Sequence, residues 1–149
     1  MKEYFLDTNI GSCRIMAGES LKNLGNYLPS GKNIVITDAN VHRLHGHLFS
    51  HFDCIEIGIG EKEKTLETVE KSYRRLLDLE VDRSSFVIGI GGGIVSDVSA
   101  FAASTYMRGL SFGLVPTTRL AQVDASTCGK TGVNFRSFKN LIGTFRQPS

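Results

Sequence analysis

Three consecutive glycines, Gly91-Gly92-Gly93, follow the apolar run Ser85–Ile90 and precede a helical pattern from Ile94 to about Tyr106. Glycines let a backbone turn tightly and come close to a ligand. The free N–H groups of a first helical turn then face that ligand, and the helix dipole favours an anion there. A pyrophosphate suits such a seat, so the segment reads as a dinucleotide-binding loop. The strict Gly-x-Gly-x-x-Gly spacing is not met. Gly89 and Gly91 fill its first two places, but Ile94 holds the third. A tight strand-to-helix turn with no ligand is the alternative. Asp97, one turn into the helix, suits a ribose hydroxyl or the helix N-terminus itself.

Charge is distributed in a way that supports an anionic ligand. The formal net charge is only +2, and nothing in bulk points to nucleic acid or a membrane. From residue 104 onward, however, six basic residues (Arg108, Arg119, Lys130, Arg136, Lys139 and Arg146) stand against one acid, Asp124. Such a local excess favours a phosphate or carboxylate. His42, His45, His47 and His51 form a dense group whose spacing can place two or three on one helical face. A polar surface helix is the reading preferred over a metal site. Cys13, Cys54 and Cys128 have neither metal spacing nor an evident disulfide framework, which suits a reducing cytoplasm. Cys128 lies near the glycine-rich region without an evident base beside it. No signal peptide is recognised at Met1-Lys2-Glu3-Tyr4, and no apolar run is long enough to span a bilayer.

These groups need a scaffold. The length is that of one domain, and apolar runs alternate with helical patterns, as in βαβ units around a mostly parallel sheet. Strands are predicted at Cys13–Ala17, Asn33–Thr37, Asp53–Gly58, Ser85–Ile90 and Ser111–Val115. Ser20 is a plausible N-cap for a helix carrying Leu21, Leu24 and Leu28, and Val41, Leu44 and Leu48 suggest a short helix. The clearest helix runs from Lys64 to Leu79, with Leu66, Val69, Tyr73, Leu76 and Leu77 as its apolar stripe. Beyond Ala125 the sequence is Gly-rich and polar as far as Gly143, and no regular element is assigned.

Several ordered blocks extend the glycine loop. They are Thr-Asp-Ala-Asn-Val (37–41), Gly-Glu-Lys-Glu-Lys (60–64), Gly-Gly-Gly-Ile-Val-Ser-Asp (91–97), Thr-Tyr-Met-Arg-Gly (105–109), Val-Pro-Thr-Thr-Arg-Leu-Ala-Gln-Val-Asp-Ala-Ser (115–126), Gly-Lys-Thr-Gly-Val-Asn (129–134) and Lys-Asn-Leu-Ile-Gly (139–143). Together they resemble 3-dehydroquinate synthase. The resemblance covers nearly the whole chain. It implies a Rossmann-like α/β domain, residues 1–149, that forms the NAD-binding half of a two-domain enzyme, inactive alone. The family converts a heptulosonate 7-phosphate to 3-dehydroquinate and phosphate in the shikimate pathway. The resemblance implies NAD, a divalent metal (zinc or cobalt) held by a C-terminal helical domain, and a homodimer, with no nucleic-acid or membrane partner.

Site residues carry over by position. The resemblance places Asp38, Asn40, Glu61 and Lys64 on the adenosine side of NAD. Gly92, Gly93, Ile94 and Asp97 fall around the pyrophosphate and ribose. Thr117, Thr118 and Leu120 match the nicotinamide side, and Lys130 and Lys139 lie beside the cofactor. Asp124, Lys130 and Asn140 match the substrate-holding groups, and Arg108 matches an arginine that reaches the substrate phosphate from a neighbouring subunit. Read without the resemblance, Asp38 is an Asx turn or a cap, Glu61 and Lys64 are a helix-start pair on a solvated face, and Arg108 is a surface charge. Four positions depart from the family pattern: Ser96, Cys128 and Phe138 replace glycines, and Arg119 replaces a leucine. If those glycines had positive φ, Cys128 and Phe138 would be strained. The alternatives are a related sugar-phosphate cyclase, a metal-dependent polyol dehydrogenase and a stand-alone nucleotide-binding module.

Overall fold

A computed structural model describes residues 1–149. The chain opens with an antiparallel hairpin, β1 (Lys2–Thr8) and β2 (Gly11–Ala17). A 3-10 turn over Leu21–Tyr27 follows, capped by the Ser20 side chain. Then come β3 (Asn33–Asp38), α1 (Ala39–His45), β4 (Asp53–Ile57), α2 (Leu66–Asp78), β5 (Phe86–Gly91), α3 (Gly93–Thr105) and β6 (Ser111–Pro116). One turn of π-helix, Ala121–Ala125, leads to a second hairpin, β7 (Lys130–Phe135) and β8 (Phe138–Phe145).

β3, β4, β5 and β6 form one parallel sheet in the order β4-β3-β5-β6. Its two central strands are buried on both faces, so they read as continuous apolar runs. One face presents Ile34, Ile36 and Val87 to α2, α3 and β7, where Val69, Leu76, Val98, Phe101 and Val133 complete the larger core. The other face presents Val35, Phe86, Ile88 and Ile90 to Val41, Phe49 and the leucines of the 3-10 turn. Gly89 and Gly91 bring α3 close to β5. A Cβ at Gly89 would lie 2.1 Å from Ser99 Oγ, and one at Gly91 2.5 Å from Val95 Cγ2.

The parallel α/β expectation holds, with corrections at several elements. The segment after Ala125 is not irregular: it forms β7 and β8, with inward Thr131, Val133 and Ile142 against α3 and α2. The Cys13–Ala17 strand has a partner, β1, that periodicity does not reveal because every residue of β1 except Leu6 is exposed. Helix α2 starts two residues later than expected, with Thr65 as its N-cap accepting from Thr68 N–H. Its stripe also rotates. The buried arc centres between Leu76 and Val69 and takes in Thr68 and Ser72, which leaves Leu77 at its rim, 70% exposed.

Candidate functional site

Strand order reverses between β3 and β5, since β3 connects to a neighbour on one side and β5 to one on the other. In an open parallel sheet, this reversal opens a crevice beyond the carboxyl ends of the two strands, where ligands bind. Asp38 ends β3 there, and Gly91-Gly92-Gly93 joins β5 to α3 there. Thr117 is tied to the same loop, its N–H donating to the Gly91 carbonyl at 2.9 Å.

The glycine loop has the features of an anion seat. Gly92 is the N-cap of α3 and has no side chain to satisfy the helix's first N–H groups. Nothing lies within 4 Å of where a Cβ of Gly93 would stand, and a Cβ at Gly92 would sit 3.3 Å from Thr118 Cγ2. A ligand therefore finds bare backbone donors at the positive end of a thirteen-residue helix. Ser96, in the first turn, is 1% exposed, and its Oγ has no hydrogen-bond partner within the protein. These features fit the pyrophosphate of a dinucleotide.

The charged groups around the crevice form two pairs. Lys64 Nζ makes an ion pair with Asp97 Oδ2, with side chains only 8% and 18% exposed. Burial raises the Asp97 carboxyl above its ordinary pKa, against the pull of the Lys64 ammonium. Lys64 is therefore no charge on a solvated face, and that reading is corrected: it is buried and paired. The second pair, Lys130 Nζ with Asp124 Oδ1 at 3.2 Å, is exposed. The Lys130 ammonium holds the Asp124 carboxyl below its usual range, and Asp124 raises Lys130 in return. The two pairs are close enough for Asp124 to be felt at Asp97.

Other site residues divide by position. Asp38 is intermediate in exposure and caps α1, its Oδ1 accepting from Val41 N–H at 2.9 Å, which leaves its second oxygen free for a ligand. Asn40 is exposed in the first turn of α1. Thr118 Oγ1 accepts from Ala121 N–H at 3.2 Å and so caps the turn after β6. Leu120 and Lys139 are exposed, and Ile94 is half-buried. Glu61 accepts from Asn134 Nδ2 at 2.8 Å, and Asn134 Oδ1 accepts from Asn140 N–H at 2.9 Å. Asn134 belongs to one of the sequence blocks, yet nothing in the sequence alone marks its side chain as a bridge.

Arg108 does not join this cluster. It lies past the C-terminus of α3, about 18 Å along the helix from Gly93. Met107 and Arg108 both adopt left-handed backbone, φ 51° and 69°, before Gly109 at φ 117°. The strain anticipated at Cys128 and Phe138 is absent, because neither has positive φ. It falls instead on Arg136 and Asn140, at φ 55° and 53°. The histidines do not converge: His42 Nδ1 pairs with Glu56 Oε2 at 2.7 Å, and no group of three His, Cys, Asp or Glu side chains is placed to hold a metal.

A parallel sheet with a glycine turn at its switch point defines a Rossmann-like α/β domain, a class in which ligands bind at that crevice. Residues 54–149 match the 3-dehydroquinate synthase N-terminal family. A 3-dehydroquinate synthase from Ruminiclostridium cellulolyticum is 41% identical over 140 residues, covering 85% of this chain and 38% of the relative. The chain belongs to the 3-dehydroquinate synthase family. It spans about two-fifths of the length of this relative. Among solved structures, 2-deoxy-scyllo-inosose synthase complexed with carbaglucose-6-phosphate, NAD+ and Co2+ superposes with a TM-score of 0.87 at 27% identity. That match covers 99% of this chain and 43% of that one. A 2-epi-5-epi-valiolone synthase from Streptomyces hygroscopicus with NAD+ and Zn2+ bound gives 0.77 at 32% identity, covering 87% and 39%.

Proposed function

We propose that these 149 residues form the NAD-binding domain of a two-domain 3-dehydroquinate synthase. The complete enzyme would convert 3-deoxy-D-arabino-heptulosonate 7-phosphate to 3-dehydroquinate and phosphate in the shikimate pathway. The observation that carries the reading is the switch-point crevice. It brings the bare Gly92–Gly93 turn, the second oxygen of Asp38 and the two charged pairs to one end of the sheet.

When bound, NAD supplies a reversible oxidation at one carbinol of the substrate. The chain's own residues bind and orient. Gly92, Gly93 and Ile94 seat the pyrophosphate at the start of α3, and Asp38, Asn40 and Glu61 face the adenosine side. Lys64 pairs with Asp97 and so fixes its carboxyl beside the ribose. Thr117, Thr118, Leu120 and Lys139 border the nicotinamide. Lys130 offers an ammonium to the substrate carboxylate, while Asp124 and the Asn140 amide hold hydroxyls. Arg108, too far from this crevice, serves the phosphate site of a neighbouring subunit in a homodimer, where its planar fork suits a phosphate dianion. No residue set here fits a divalent metal, so none is assigned to it. The zinc or cobalt of the complete enzyme would rest on a C-terminal domain. No helix is long and apolar enough to cross a membrane, and three free cysteines suit a reducing cytoplasm.

Titrating the purified chain with NAD tests the reading. Binding in the micromolar to millimolar range is expected, and a folded chain that binds none overturns it. A dehydroquinate-forming assay with added NAD and zinc is expected to show no turnover; turnover by the chain alone refutes the half-enzyme assignment. The likeness to two cyclitol-forming synthases favours a second reading, a related sugar-phosphate cyclase, which the choice of phosphate substrate would reveal.

A further inference from the structure

Asn134 is the one side chain that joins the segment before α2 to the bulged hairpin β7–β8. Its Nδ2 donates to Glu61 Oε1 at 2.8 Å, and its Oδ1 accepts from Asn140 N–H at 2.9 Å. Its own backbone N–H donates to the Lys64 carbonyl at 2.9 Å. Two segments far apart in sequence, residues 61–64 and the β7–β8 hairpin, thus meet at this one residue. Each contact bears on a group of the crevice. Glu61 is a carboxylate, and a hydrogen bond to a charged acceptor is stronger than a neutral one and more directional. Lys64, three residues after Glu61, carries the buried ion pair with Asp97.

Asn140 shows why such a bridge is needed. Its φ is 53°, a left-handed conformation that costs a non-glycine residue free energy unless the surroundings enforce it. It lies in β8 opposite the register shift between Val133 and Phe135, where the ladder does not satisfy its N–H. The Asn134 carbonyl oxygen takes that N–H and so holds the backbone that aims the Asn140 side chain.

We infer that Asn134 is a positioning residue: its amide locks the Glu61–Lys64 segment and the left-handed Asn140 in one geometry, so the cofactor side and the substrate side of the crevice are set together. This rests on the reading of the crevice as an NAD site. Both ends of the amide are required. Aspartate keeps the acceptor for Asn140 but turns the Glu61 contact into carboxylate against carboxylate. Alanine removes both contacts.

The test is a pair of titrations of the chain with NAD, in the wild-type and Glu61→Gln backgrounds, each with and without Asn134→Asp. In the wild-type background the substitution is expected to weaken NAD binding about tenfold. In the Glu61→Gln background it is expected to cost less than about twofold, because the amide at 61 can then donate to the carboxylate at 134. An equal cost in both backgrounds, or a cost below about twofold in the wild-type background, overturns the inference. Amide hydrogen exchange at Asn140 reads the other end: protection is retained in Asn134→Asp and lost in Asn134→Ala. Protection unchanged in Asn134→Ala also overturns it. A folded wild-type chain that binds no NAD refutes the NAD reading instead, and the exchange comparison still decides the link to Asn140.

Discussion

Replacing Lys64 by methionine should unfold this domain more readily than any surface-charge change. The substitution keeps an apolar stem of similar length but leaves the Asp97 carboxylate buried without its cation. At 8% and 18% side-chain exposure, water screens this pair little. Breaking a buried pair by removing one partner costs about 3–5 kcal/mol, a large part of the roughly 5–15 kcal/mol that holds a typical domain. For a chain of this size, that corresponds to a fall in Tm of roughly 6–20 °C. Thermal and urea unfolding of Lys64→Met would read it, with Lys64→Met/Asp97→Leu as control. The double variant buries no charge and should recover most of the loss. pH gives an independent check. Burial raises the Asp97 carboxyl, so in the folded state it binds a proton more readily than in the unfolded chain, whose value is about 3.9. The stability it contributes is therefore greatest below the unfolded value and is lost as pH rises through the folded one. Without Lys64 the folded value rises further, so the deficit of the variant should shrink as pH falls from neutral toward the carboxyl range. A loss below about 1 kcal/mol, a double variant no more stable than the single one, or a deficit that grows with acid would refute the reasoning.

Other expectations follow from single contacts. Gly93→Ala should change stability by less than about 1 kcal/mol, since a Cβ there meets nothing within 4 Å. It should weaken NAD binding about tenfold or more by filling the seat, as read by calorimetry. Thr65→Ala removes the α2 N-cap and should cost about 1 kcal/mol in urea unfolding. Gly109→Ala, at φ 117°, should cost about 1–3 kcal/mol, and proteolysis should be faster near residues 105–110. Asp124→Asn should hardly move Tm at neutral pH, because its pair with Lys130 is exposed. The Asp124 carboxyl is held below its usual range, so any stability the pair gives should persist into mild acid and be lost only as pH falls through that lowered value.

The sheet was legible because parallel central strands are apolar on both faces, as Asn33–Thr37 and Ser85–Ile90 are. β1 was hidden because its residues face water on both sides, and a strand that buries nothing carries no periodic signal. The β7–β8 hairpin was hidden by glycine. Gly132 and Gly143 face each other across the ladder, each so close that an added Cβ would strike the opposite backbone. Its apolar content is thus confined to a few inward positions. In the site, the glycine loop was visible as a local motif. The Lys64–Asp97 pair was not, since its partners are 33 residues apart and each resembles an ordinary surface charge until β5 places α3 beside α2. Asn134 was legible as part of a block, but two of its partners, Glu61 and Lys64, lie far earlier in the chain.

The glycines around α3 answer to two different masters. Gly89 and Gly91 are kept small by Ser99 and Val95, inside the protein, whereas nothing in the chain crowds Gly93. Selection on them would separate accordingly. In a relative under no demand to bind a ligand here, Gly89 and Gly91 would persist as long as α3 stayed docked, while Gly93 would be free to drift. Gly89 and Gly91 therefore answer to the fold, and Gly93 is the position that only a ligand would hold to glycine.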